Sequence, residues 1–94
     1  MLYLHAIWTK DNCEEKVRIF TVENEFINAV RECCYSKGLA YSIEIYFLEA
    51  NDKIEQGRCL GSRGLTPEQK QQISDEMFKK VRQFLTEHPE YSGI

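Results

Sequence analysis

The stretch that most constrains the fold of this chain runs from Leu60 to Leu85, where a glycine-rich turn leads into a strongly capped helix. Thr66 places a hydroxyl at the N-cap, Pro67 takes the first helical position, and Gln69 stands at the capping-box position. The apolar stripe of this helix is expected to comprise Ile73, Met77, Val81 and Phe84. A helix that buries such a stripe needs a sheet or another helix to pack against.

Hydrophobic periodicity predicts the remaining elements. The predicted strands are Leu2–Trp8, Lys16–Val22, Tyr41–Phe47 and Lys53–Leu60. A helix with Asn24 as N-cap and Gly38 just past its end separates the second strand from the third. Pro89 should end the last helix near Glu87 and leave residues 88–94 as a short tail. The order ββαββα indicates an α+β fold, with a four-stranded, mainly antiparallel sheet and two helices packed on one face.

The last two strands form a hairpin whose register the sequence leaves open. A two-residue turn at Asn51-Asp52 would put Arg58 on the same face as Tyr41, whereas a three-residue turn would put Cys59 there. Neither choice gives a cleanly apolar face, which points to a β-bulge near Gly57.

Size and charge exclude several classes of protein. A chain of 94 residues can build one hydrophobic core, so residues 1–94 are predicted to form a single domain. The formal charge of −3 has the wrong sign for general binding to nucleic acids or to anionic membranes. The N-terminal residues lack a basic leader, and no apolar run has the length of a membrane span, so we expect a cytoplasmic protein.

The cysteines favour reduced thiols rather than a metal site. Cys13, Cys33, Cys34 and Cys59 form no CxxC pair, and adjacent cysteines are a poor start for zinc ligation or a disulfide framework. Neither a metal nor another cofactor is predicted.

The glycine-rich turn offers a candidate anion site. Arg58 and Arg63 flank it, and Gly64 and Thr66 lead into the exposed N–H groups of the helix start. The spacing is not that of a phosphate-binding P-loop, and three glycines can equally serve a bulge and a tight connection. A related alternative is a thiol- or anion-dependent enzyme at this turn, with Cys59 as nucleophile. His5 is its most plausible base.

A second candidate site lies on the sheet. If both helices cover the face of Tyr41, the opposite face is open, and it would carry Tyr46 and Leu48. Tyr3 and Ile7 are the candidates for the same face on the first strand. An open apolar face of this kind can bind a protein partner or a second copy of the chain.

The run from Pro67 to Glu76, preceded by helix, strand, turn and strand, resembles the C-terminal part of the DinI-like family of small RecA modulators. The resemblance implies a small sheet with two helices and a protein that acts by binding a recombinase. The chain differs from that family in its extra N-terminal strand and in the basic residues Lys79, Lys80 and Arg82.

These observations together favour a small, non-enzymatic intracellular protein that binds another protein and thereby regulates, inhibits or neutralises it. A homodimer is compatible with the same interpretation. The two alternatives are the enzyme centred on Cys59 and the RecA modulator.

Overall fold

Four strands and two helices follow one another in the computed structural model, which describes residues 2–11, 14–48, 54 and 57–91. The elements are β1 (Leu2–Asp11), β2 (Glu14–Phe20), α1 (Glu23–Tyr35), β3 (Ala40–Leu48), β4 (Arg58–Arg63), α2 (Pro67–Glu87) and a 3₁₀ turn (Pro89–Tyr91). The strands form one sheet in the order β2-β1-β3-β4, and all three ladders are antiparallel. The predicted α+β class and the order ββαββα are confirmed.

The two helices lie on opposite faces of the sheet, so the prediction that both cover one face is wrong. Leu4 and Trp8 of β1 pack under α2, whereas Ile7 of the same strand packs under α1. Successive side chains of a strand point to opposite faces, so these contacts assign one helix to each face. The physical reason is that β1 is an interior strand with apolar side chains at both alternations, and each face must be covered.

The α2 face holds the larger core. It comprises Leu4, Ala6, Trp8, Tyr46, Ile73, Met77, Val81 and Leu85. The N-terminus of α2 is capped as predicted: the amide of Gln69 donates to Thr66 Oγ1 at 3.2 Å, and the amide of Thr66 donates to Gln69 Oε1 at 3.0 Å. The helix ends at Glu87, also as predicted.

The α1 face holds a smaller core, which comprises Ile7, Phe26, Ala29, Cys33 and Ile43. The helix begins at Glu23 with Val22 in the N-cap position, so the predicted N-cap Asn24 lies inside the first turn. Val22 supplies no side-chain hydrogen bond to the helix start. Past its C-terminus, Gly38 adopts a positive φ of 78°, which agrees with the predicted glycine stop.

The described part of the last strand is Arg58–Arg63, so the strand continues three residues past its predicted end at Leu60. Lys53, Glu55 and Gln56 of the predicted strand lie outside the described residues. The bulge of β4 is at Leu60 rather than Gly57, because Gly61 pairs with Ile43 and Cys59 pairs with Glu44. Arg58 pairs with Ile45 and therefore shares the face of Tyr41. The predicted turn at Asn51-Asp52 lies outside the described residues.

Candidate functional sites

Arg63 fastens the end of β4 to the end of α1. Its Nε donates to the carbonyl of Leu39 at 3.0 Å, and its Nη2 donates to the carbonyls of Cys33 at 3.2 Å and of Ser36. The guanidinium also lies 5.1 Å from the centre of the Tyr41 ring. A cation is favourable at this position, because the last carbonyls of a helix carry partial negative charge. The sequence-predicted anion ligand is thus a structural clamp.

The other predicted anion-site residues are not gathered around Arg63. Arg58 is at the opposite end of β4, five residues and roughly 17 Å away at the usual rise of a strand. Gly64 has a positive φ of 76°, which lets the chain turn from β4 toward α2. In the capping box the side chain of Thr66 accepts from the amide of Gln69, and the side chain of Gln69 accepts from the amide of Thr66. These hydrogen bonds leave fewer N–H groups at the start of α2 for an anion.

Two of the predicted interface residues are buried, which removes the open face on which that prediction rested. Tyr46 is 0% exposed under α2, and Ile7 is 0% exposed under α1. Tyr3 and Leu48 belong to β1 and β3, but the positions of their side chains lie outside the described part of the structure.

A buried polar cluster that the sequence interpretation missed lies between β3 and α2. Glu44 is only 1% exposed; its carboxylate accepts from Ser74 Oγ at 2.6 Å and from Tyr46 OH at 3.4 Å. Burial raises the pKa of Glu44, while the hydrogen bonds from Ser74 and Tyr46 oppose the shift. Glu44 alternates along β3 with the apolar residues Ile43 and Ile45, and it is buried because α2 packs on its face of the sheet.

The predicted thiol site does not assemble. Cys59 is exposed on β4 and pairs with Glu44, which places it on the α2 face of the sheet. His5 shares the face of Ile7, where its ring stacks on Phe26 with centroids 4.0 Å apart. A base on the other face of the sheet is out of hydrogen-bonding reach of the thiol.

An open surface exists at a different place, along β4. Its residues, named here the β4 surface, are Ile45, Phe47, Arg58 and Leu60. Leu60 is 54% exposed at the bulge, and Arg58 is also exposed. Ile45 and Phe47 are half-buried. Because β4 is the last strand of the sheet, no described strand pairs with its outer edge.

A cleft opens on the other side of the molecule, between the start of α2 and the ends of β1, β2 and β3. Its volume is about 420 Å³, within the range of small-molecule sites. Trp8 and Ile73 supply apolar lining, and Gln69 and Gln72 supply amides. Among the described residues, no group of three or more His, Cys, Asp or Glu side chains could hold a metal ion.

Comparison with known proteins gives no relative. No protein-family model, curated protein or solved structure matches the chain. The resemblance of its second helix to the DinI-like family therefore stays a prediction. Within the described ranges, no helix is both long enough and apolar enough to cross a membrane.

Proposed function

We propose that this protein is a non-enzymatic cytoplasmic protein that binds another protein through the β4 surface and so regulates, inhibits or neutralises it. The observation that carries the proposal is the outer edge of β4, with which none of the described strands pairs, beside an exposed Leu60. An open edge presents backbone N–H and C=O groups that a segment of a partner can pair with.

The other edge of the sheet is a poorer place to bind. β2 begins with three exposed charged residues, Glu14, Glu15 and Lys16, and charges on an edge strand oppose strand addition. β4 carries one exposed charge, Arg58, for which no described ion pair or hydrogen bond exists. The contrast between the two edges favours β4 as the contact.

The apolar part of the β4 surface supports the same choice. Ile45 pairs with Arg58, so these two side chains lie side by side on the face that α1 covers only in part. Together with Phe47 and Leu60 they combine apolar area with a guanidinium, a composition common at protein interfaces. The bulge interrupts the ladder to β3 at Leu60, whose side chain is exposed.

The experiment is capture of partners from the native host by the wild-type chain and by two charge-reversal variants, with identification by mass spectrometry. Arg58→Glu alters the β4 surface, and Lys16→Glu is a matched control, because both replace an exposed basic residue on an edge strand. We expect one stoichiometric protein with wild type and with Lys16→Glu, and at least about tenfold less of it with Arg58→Glu. Equal capture by both variants would contradict the proposed surface.

Sedimentation equilibrium of the purified chain separates the homodimer from a foreign partner. If the β4 surface pairs with itself, wild type is dimeric at micromolar concentration and Leu60→Asp is monomeric. A strict monomer leaves a different protein as the occupant. A dimer that persists in Leu60→Asp would contradict the β4 surface as the contact.

A further inference from the structure

We propose that the partner places an amphipathic helix with acidic flanks on the open half of the α1 face, over β3 and β4 and beside α1. This open half is named here the α1 groove; Ile45, Arg58 and Gly61 form its floor, and Ile27 forms its wall. The inference rests on the proposed function, and it specifies which element of the partner covers Ile45 and Arg58 of the β4 surface.

α1 covers only half of its face of the sheet. It lies mainly over β1 and β2, and its core contacts reach Ile43 of β3. Ile45, on the same face of β3, is only half-buried. Gly61 of β4 belongs to this face as well, since it pairs with Ile43. A Cβ added to Gly61 would meet no described atom within 4 Å beyond its chain neighbours, so the space above β4 is open.

The open half has the width of one helix. Neighbouring strands lie about 4.8 Å apart, so the midline of β3 and β4 is about 9.6 Å from the midline of β1 and β2. The axes of two packed helices are about 8–10 Å apart. A helix over β3 and β4 would therefore contact the sheet and α1 at the same time, whereas a strand added to the edge of β4 would leave this space empty.

The wall of the groove is the side of α1 that faces β3. On the opposite side, Glu32 Oε2 lies 3.8 Å from Nη1 of Arg18 on β2. On the near side, the side chain of Cys34 is hydrogen-bonded to that of Tyr41 on β3. Ile27 precedes Cys34 by seven residues, which is about two helical turns, and therefore lies on the same side. It is 38% exposed, so the wall presents apolar surface to an incoming helix.

Two arginines determine which charge the helix should carry. Arg58 borders the groove on β4, and Arg31 borders it on α1, one turn after Ile27. Both arginines are exposed, and neither forms an ion pair with another described residue. The same side of α1 has one acidic residue, Glu23, about two turns before Arg31 at the start of the helix. A helix between the two guanidinium groups is favoured when acidic residues flank its apolar stripe.

Titration of the intact chain with two synthetic helical peptides tests the proposal. Each peptide has about 17 residues and a leucine stripe at i, i+3, i+4 and i+7 spacing. The acidic peptide has glutamate on both sides of the stripe, and the basic peptide has lysine there. The chain has a net charge of −3, so non-specific attraction favours the basic peptide. We expect the acidic peptide to bind at least about tenfold more tightly, with nitrogen-15 NMR shifts at Ile27, Ile45 and Gly61.

Two variants test the charge and the open space separately. Arg58→Glu should abolish the preference for the acidic peptide. Gly61→Leu fills the floor without strain, because its φ is not positive and its Cβ would meet no described atom beyond its chain neighbours. It should weaken binding of the acidic peptide at least about tenfold and leave the urea midpoint of the chain unchanged. Lys16→Glu, on the other edge of the sheet, is the control and should bind the acidic peptide as wild type does.

The results that would overturn the α1 groove are distinct from those that would overturn the proposed function. Equal binding of the two peptides, binding of neither, or shifts confined to the α2 face would overturn the groove, as would unchanged affinity in Gly61→Leu. Capture of a partner that depends on Arg58, without binding of either peptide, would overturn the helix and leave the proposed function standing. Binding of the acidic peptide without any captured protein would support the groove and count against the proposed function.

Discussion

Replacement of Arg63 by alanine is expected to lower the free energy of unfolding by about 3.5 kcal/mol. The guanidinium uses two nitrogens to hold three carbonyls, with Nε on Leu39 and Nη2 shared between Cys33 and Ser36. Hydrogen bonds from a charged donor contribute about 1.5–3 kcal/mol each, and the lower value applies here because the site is half-exposed. The two donor nitrogens therefore account for about 3 kcal/mol, and the contact with Tyr41 adds about 0.5 kcal/mol at an exposed site.

Urea denaturation monitored by the fluorescence of the single tryptophan measures this loss. Arg58→Ala is the control: it removes the same kind of side chain from the other end of β4, where the guanidinium makes no described hydrogen bond, and should lower the free energy of unfolding by less than about 0.5 kcal/mol. Arg63→Lys keeps the charge without the planar fork and should fall between the two. If Arg63→Ala costs no more than Arg58→Ala, the clamp between β4 and α1 does not stabilise the fold.

Three further changes test the interior and the helix start. Gly57→Ala should lower the free energy of unfolding by about 1–3 kcal/mol in the same assay, because its Cβ would lie 2.6 Å from Cζ of the buried Tyr46. An unchanged urea midpoint would refute this close approach. Since burial raises the pKa of Glu44, the stability from its protonated form is present at acid pH and is lost as the pH rises through the folded pKa. The free energy of unfolding of Glu44→Gln should therefore rise relative to that of wild type as the pH rises from acid to neutral. A difference that does not change with pH would contradict a raised pKa for Glu44. Thr66→Ala should cost about 1 kcal/mol through loss of the capping box, which circular dichroism during urea unfolding would detect.

The elements that the sequence predicted well are those with local signals. α2 begins at Pro67, directly after its N-cap Thr66, and ends at Glu87, because its cap, its first-turn proline and the proline beyond its end are all encoded within a few residues. The strands of the first hairpin and β3 also follow from residue type and alternation. Such signals depend on neighbours in the chain and need no knowledge of the tertiary structure.

The placement of the helices, the contacts of Arg63 and the buried cluster around Glu44 could not be predicted in the same way. Arg63 bonds to Cys33, which is 30 residues earlier, and Ser74 bonds to Glu44 across the same separation. One signal for the helix placement was present: residues 2–8 are apolar at nearly every position, which is typical of a strand buried on both faces. Read in that way, the first strand predicts a helix on each side of the sheet and a buried Ile7.

The proposed function depends most directly on whether a partner covers the outer edge of β4. Hydrogen–deuterium exchange of the chain, alone and with the protein captured from its host, measures this at each amide. We expect exchange to slow along Arg58–Arg63 and to stay unchanged along Glu14–Phe20, the edge at the other side of the sheet. Slower exchange at Glu14–Phe20 with none at Arg58–Arg63 would contradict the β4 surface as the binding site.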